Sequence, residues 1–257
     1  MKYMSPINVC FHGYNDWDGY DASQYKPTLS DKETTTQNRG MWSEPNRVRK
    51  SDIKYNVTLN DEQKAAKQLI IDNQIVIVTG RAGSGKSLIC AQTALDFLMT
   101  KQCNHIFVTR ATIEVGNSLG FLPGGLDDKF DPYLEAFQEN LEKCYDKVKI
   151  EELVKNKKIV AYPVQFIRGK TIDDILVVEE AQNLTKGEML AILTRLGKTG
   201  KIIINGDNEQ KDTRESYTGL SYAIDIAKKI DGVEWVKLKE NHRSDLVGKI
   251  LDFEYNN

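Results

Sequence analysis

IVIVTGRAGSGKSLICAQTALDFLM, residues 75–99, is the stretch from which the fold follows. IVIVT (75–79) reads as a buried strand, GRAGSGKS (80–87) as a glycine-rich turn, and SLICAQTALDFLM (87–99) as a helix. A strand that ends in Gly-x-x-x-x-Gly-Lys-Ser and passes straight into a helix turns its backbone N–H groups, and the positive end of the helix dipole, on an anion. Gly80, Gly83 and Gly85 let the backbone wrap a phosphate, Lys86 is placed to reach β and γ oxygens, and Ser87 to ligate Mg²⁺. Arg81, Ala82, Ser84 and Leu88 complete the expected cofactor-binding loop.

Outward from this core, apolar runs alternate with helical patterns. HIFVT (105–109), KIVAY (158–162), ILVVE (175–179), KIIIN (201–205) and EWVKL (234–238) read as further short strands, with helices expected near 61–73, 86–100, 131–156, 185–196 and 217–229. The alternation predicts a mostly parallel sheet covered by helices on both faces. Residues 1–56 differ: they show no sustained period and read as an irregular arm, followed by one folded domain over 57–257. The arm's Tyr14, Trp17, Tyr20, Tyr25 and Trp42 suit packing on a domain or a second subunit, or stacking on bases.

At 257 residues and 40% hydrophobic content the chain can bury a sizeable core, and a net charge of −2 neither demands nor excludes nucleic acid. Cys10, Cys90, Cys103 and Cys144 lack C-x-x-C spacing, so reduced thiols are expected and no zinc site is legible. With no signal-peptide run and no segment of membrane-spanning length, the expectation is a cytoplasmic chain without a membrane partner.

ILVVEE (175–180) sets a buried run against two adjacent acids. Beside a phosphate loop, Glu179 is placed to hold magnesium through water and Glu180 to orient an attacking water, their repulsion being tolerable opposite Lys86 and a divalent cation. A solvated strand end is the plainer alternative.

Several motifs in order now carry a resemblance. GRAGSGKS is followed by VTRATIEVGNSLGFLPGGLDDKFDPYLEAF (108–137), FIRGKTIDDILVVEEAQNLT (166–185) and INGDNEQKD (204–212). Over residues 57 to about 252 the chain resembles the PhoH-like P-loop ATPases, which are related to the RecA-like core of superfamily-one helicases. The resemblance implies an α/β P-loop NTPase fold of RecA-like three-layer α/β/α type, binding and hydrolysis of ATP with Mg²⁺, and, for some members, RNA metabolism. Two departures stand out: the family's magnesium-associated Asp is here Glu179, one methylene longer, which predicts slow hydrolysis, and its TRP stretch reads TRAT, leaving Arg110 as a phosphate contact on a looser loop.

Further roles follow from the same resemblance. Gln63 in LNDEQKAA stands where helicase-like proteins read the adenine edge, yet Asn60 and Gln63 also have capping-box spacing, and both readings remain open. Gln182 belongs to the DEAQ-like tail, and Asp207 and Gln210 look like a γ-phosphate sensor in which Gln210 contacts and Asp207 orients. Arg168 and Lys170, with Arg110, are the candidates for nucleic-acid contact. KENHRSDLVGKIL (239–251) makes Arg243 the candidate arginine finger, and one RecA-like unit per chain implies a homo-oligomer, a hexameric ring above all, in which a neighbour supplies it. The functional expectation is an ATPase working on RNA or single-stranded DNA, against a nucleotide-gated scaffold with little turnover or a small-molecule kinase.

Overall fold

In a computed structural model, the described residues are 55–111, 126–210 and 216–240, together with positions 242, 246, 249 and 253. The expected arm therefore lies outside them except for Tyr55 and Asn56, as does Arg243.

Six strands form one sheet: β1 (Ile75–Gly80), β2 (Ile106–Arg110), β3 (Ile159–Ala161), β4 (Ile175–Glu179), β5 (Lys201–Gly206) and β6 (Val233–Leu238). Their spatial order is β3-β2-β4-β5-β1-β6 and every pairing is parallel. β1, β4 and β5 are buried at every residue, which is why they read as unbroken apolar runs rather than as alternating ones. β6, at the sheet edge, alternates instead.

Helices α1 (Asp61–Asp72), α2 (Lys86–Met99), α3 (Leu126–Cys144), α4 (Lys147–Lys155), α5 (Val164–Ile167), α6 (Lys186–Leu193) and α7 (Gly219–Ala227) connect these strands. Two apolar clusters cover the two faces. One joins α1, α2 and α3 through Ile70, Ile89, Leu95, Phe97 and Phe137 to Val76, Val78 and Val177; the other joins α6 and α7 through Met189, Ile192 and Leu220 to Ile77, Leu176 and Ile204. No helix among the described residues is long and apolar enough to cross a membrane.

The helix expected over 131–156 is two helices. Asp146 accepts a hydrogen bond from the Lys149 N–H at 2.9 Å and starts α4, while the carbonyl of Cys144, the last residue of α3, takes the Asn56 N–H at 2.9 Å. An N-cap carboxylate thus ends one helix and begins the next inside a pattern whose apolar period hardly changes. The single turn α5 was not legible either.

Cys90, Cys103 and Cys144 are buried free thiols. Burial pushes the Cys103 thiol up to about 12 and that of Cys144 up to about 11, so neither is a thiolate at neutral pH. Tyr55 is bound to the domain: its hydroxyl donates to Asp96 Oδ1 at 2.6 Å, and Lys67 pairs with the same carboxylate at 2.5 Å. Lys201 is wholly buried at the start of β5. Its ammonium donates to the carbonyls of Ile70, Ile71 and Asn73, closing the C-terminus of α1, and sits 5.1 Å from the Phe97 ring centre. Burial pulls its pKa down to about 7.

Candidate functional site

The C-terminal ends of β1, β4 and β5 lie side by side and carry Gly80, Glu179 and Gly206. This is where open parallel sheets place ligands. Gly83 and Gly85 adopt φ of 86° and 85°, and a Cβ on Gly85 would stand 2.6 Å from Gln63 Nε2, so the turn excludes side chains on conformation and on space. Gly85 is the N-cap of α2 and offers no side-chain cap, which leaves the first N–H groups of that helix for an anion.

Lys86 Nζ donates to the carbonyls of Gly80 (2.5 Å) and Arg81 (3.1 Å). Burial lowers its pKa, and the carboxylates of Asp207, Glu180 and Glu179 act in the opposite direction, so all three bear on one ammonium. Arg81 pairs with Glu209 at 3.2 Å, Ala82 is buried, and Leu88 packs its side chain against the core. The buried Ser84 Oγ and Asp207 Oδ2 have no hydrogen-bond partner among the described residues.

The two glutamates, adjacent in sequence, occupy different environments. Glu179 is 9% exposed; its Oε1 accepts from Asn205 Nδ2 at 2.7 Å and its Oε2 from Ser87 Oγ at 3.3 Å. Burial raises its pKa above the ordinary carboxylate value, the Asn205 bond lowers it, and the Glu180 charge raises it again. The extra methylene of Glu179 is therefore taken up without interrupting the ladder, since Arg110 remains in register with Glu179 across β2 and β4. Ser87 hydroxyl and Glu179 carboxylate are a hard-oxygen pair of the kind Mg²⁺ accepts. No group of three or more His, Cys, Asp or Glu side chains suited to a metal occurs among the described residues, so a cation here would take its other ligands from phosphate and water.

Glu180 sits at φ 52°, ψ 46°, a left-handed conformation that costs a non-glycine residue of order 1 kcal/mol. The turn it makes leads into the 3₁₀ segment Ala181–Asn183 and brings Gln182, 1% exposed, beneath it. Gln182 Nε2 donates to Glu180 Oε2 at 2.6 Å and to the Gln210 carbonyl at 3.3 Å, and Gln182 Oε1 accepts the Asp207 N–H at 3.0 Å. One amide thus ties the acid-tipped strand to the turn after β5. Gly206 makes room for it: a Cβ there would lie 2.6 Å from Gln182 Oε1.

Of the two readings open for Gln63, the structure shows the capping box. Gln63 completes that box with Asn60, and its Nε2 donates to the Ser84 carbonyl at 3.2 Å, so its amide is engaged on both sides. The segment after β6 returns to the same corner: Glu62 accepts the N–H groups of Lys239 (2.9 Å) and Glu240 (3.2 Å), and the His242 N–H donates to the Gly83 carbonyl at 3.0 Å. Arg110 lies beside Glu179 and lowers its pKa, whereas the exposed Arg168 and Lys170 stand apart, Lys170 over the Tyr162 ring at 4.3 Å. Asn205 was missed as a site residue, the available signal being an Asn that closes the run KIIIN.

A family model described as PhoH-like protein matches residues 57–254. Among curated relatives, a PhoH-like protein of Mycobacterium bovis is 38% identical over 201 residues, covering 76% of this chain and 56% of that protein. One from Bacillus subtilis is 38% identical over 184 residues, covering 70% of this chain and 58% of that protein. The chain therefore spans just over half the length of these relatives. Among solved structures, Pif1 helicase from Candida albicans aligns with a TM-score of 0.44 at 16% identity, covering 78% of this chain and 44% of that one.

Proposed function

The chain belongs to the PhoH-like protein family, and from that premise we propose that it is a magnesium-dependent ATPase that couples hydrolysis to binding or remodelling RNA or single-stranded DNA. The observation that carries this reading is the convergence of Lys86, Glu179, Glu180 and Asp207 on one crevice at the ends of β1, β4 and β5.

Each residue has a distinct task in that reading. The uncapped start of α2 and the loop N–H groups hold the β-phosphate. Lys86 exchanges its carbonyl partners, Gly80 and Arg81, for β and γ oxygens. Ser87 and Glu179 would hold magnesium, directly and through water, and the ion would neutralise charge on the triphosphate. Glu180 orients the attacking water and accepts its proton, with Gln182 fixing the carboxylate. Gln210, whose carbonyl Gln182 also holds, contacts the γ-phosphate with Asp207 as orienter.

The test is Glu180→Gln. The parent hydrolyses ATP in the presence of magnesium, and the variant binds ATP with little change in affinity while turnover falls by about 10²-fold or more. Binding without turnover in the parent would leave a nucleotide-gated scaffold, and phosphate transfer to a metabolite a kinase. With one such unit among the described residues, we further propose a homo-oligomer, most simply a hexameric ring, in which Arg243 of a neighbour completes the pocket; a monomer by light scattering with ATP and magnesium would refute it. A cytoplasmic location belongs to the same proposal and is supported by the three buried free thiols.

A further inference from the structure

Resting on the nucleic-acid part of that reading, we propose that the cleft between β6, the start of the phosphate loop and the turn after β5 binds one base of a single-stranded polynucleotide, stacked on Trp235. The cleft measures about 70 Å³, and its walls include Thr79, Gly80, Arg81, Asp207, Trp235 and Lys237. It is partly open to solvent and too small for a folded partner.

Its construction suits a base. β1 and β6 run in register with Ile77 opposite Trp235 and Thr79 opposite Lys237, so the indole and the lysine project from one face of the sheet. Trp235 is 38% exposed, yet its Nε1–H donates to Thr79 Oγ1 at 2.8 Å, which fixes the plane of the ring. A large aromatic surface left open but held rigid is a stacking platform, and every base has a face to place on it. Lys237 lines the cleft, and Lys228, whose ammonium is 3.5 Å from Asp225, lies 5.6 Å from the indole centre, so cationic side chains border the platform and can meet the phosphates of a strand. Glu209 on the rim is neutralised by its pair with Arg81.

Asp207 supplies the second polar element. It lines the cleft, is 4% exposed, and its Oδ2 lacks a donor among the described residues. The exocyclic amine of a base is a donor that carboxylates read. The same residue links the cleft to the chemistry: the Asp207 N–H is held by Gln182, which holds Glu180. A base seated in the cleft therefore bears on the group that orients the attacking water, and turnover should respond to the strand.

The experiment uses the full chain carrying Trp17→Phe and Trp42→Phe, which leaves Trp235 as the sole indole. Single-stranded oligocytidine is expected to quench its fluorescence saturably, less so as salt rises, and oligothymidine, which stacks but has no exocyclic amine for Asp207, to do so at higher concentration. Trp235→Ala is expected to weaken oligonucleotide binding about 10- to 100-fold and to abolish the strand-stimulated part of ATP turnover, with basal turnover unchanged and Trp235→Phe retaining most of both. Lys237→Glu, on an exposed side chain, provides an independent variant expected to bind at least about 3-fold more weakly at low salt. Unchanged strand affinity in Trp235→Ala would overturn the proposal. So would quenching by ATP in place of the oligonucleotide, or a signal that follows protein concentration without nucleic acid, which would make the cleft a contact between copies. Quenching by oligonucleotide in a chain that lacks basal ATPase would sustain the cleft and remove the ATPase reading instead.

Discussion

Replacing Gln182 by leucine removes one side chain's worth of hydrogen bonds while keeping its volume nearly constant. Three bonds are lost: the 2.6 Å donation to Glu180, the 3.3 Å donation to the Gln210 carbonyl and the 3.0 Å acceptance from the Asp207 N–H. The first is charge-assisted and contributes about 2 kcal/mol; the long second bond contributes little; losing the third leaves a buried N–H unpaired at a cost of about 1–3 kcal/mol. Leucine, 1% exposed like the glutamine, regains part of this through apolar burial, so the net loss of stability should be about 1–2 kcal/mol, visible as a lower urea midpoint. The kinetic effect should be larger. Glu180 stands in a strained turn and its carboxylate would lose the Gln182 donor that fixes it, so kcat for ATP hydrolysis should fall about 10- to 100-fold with KM for ATP nearly unchanged, because no residue of the phosphate loop is touched. Steady-state phosphate release over an ATP series measures both constants. A normal kcat would refute the role given to Gln182, and a raised KM with intact kcat would make it a binding residue.

Gly206→Ala attacks the same amide from the other side. The new Cβ would meet Gln182 Oε1 at 2.6 Å and Leu220 Cδ2 at 2.8 Å, so a destabilisation of about 1–3 kcal/mol should accompany a fall in kcat, measured by thermal melting and phosphate release on one preparation. Lys201→Met tests the buried ammonium through pH. The Lys201 pKa is near 7 in the folded chain against 10.5 for an ordinary lysine, so the unfolded chain holds the proton more tightly and native stability rises as pH climbs between those values. Methionine cannot titrate, and the deficit of the variant should widen by about 1 kcal/mol per pH unit from 7.5 to 9.5 in urea titrations; parallel curves would count against the assignment.

The strand, turn and helix over 75–99 were legible because each residue there serves one local purpose that composition reveals: β-branched residues buried on both faces, glycines where a Cβ has no room, a lysine at the head of a helix. That Glu179 ends a buried strand, with Glu180 just beyond it, was legible for the same reason. What escaped were residues whose partners are distant in sequence. Lys201 reads as a solvated strand start, yet it closes a helix ending some 130 positions earlier. Asn205 looks like a turn residue and instead holds Glu179. Trp235 lies in the strand EWVKL, and nothing in that run tells how far an edge position is left exposed. Gln182 was recognisable as part of a motif, but its three-way contact is a property of the fold alone.

The stretch that follows β6 has a mechanical implication. Lys239 and Glu240 are clipped to the head of α1, and the next described residue, His242, rests its N–H on the carbonyl of Gly83 at the tip of the phosphate loop. Any rearrangement of that tip around an incoming triphosphate must carry the His242 backbone with it or break that bond, which turns nucleotide occupancy into displacement at a point outside the pocket.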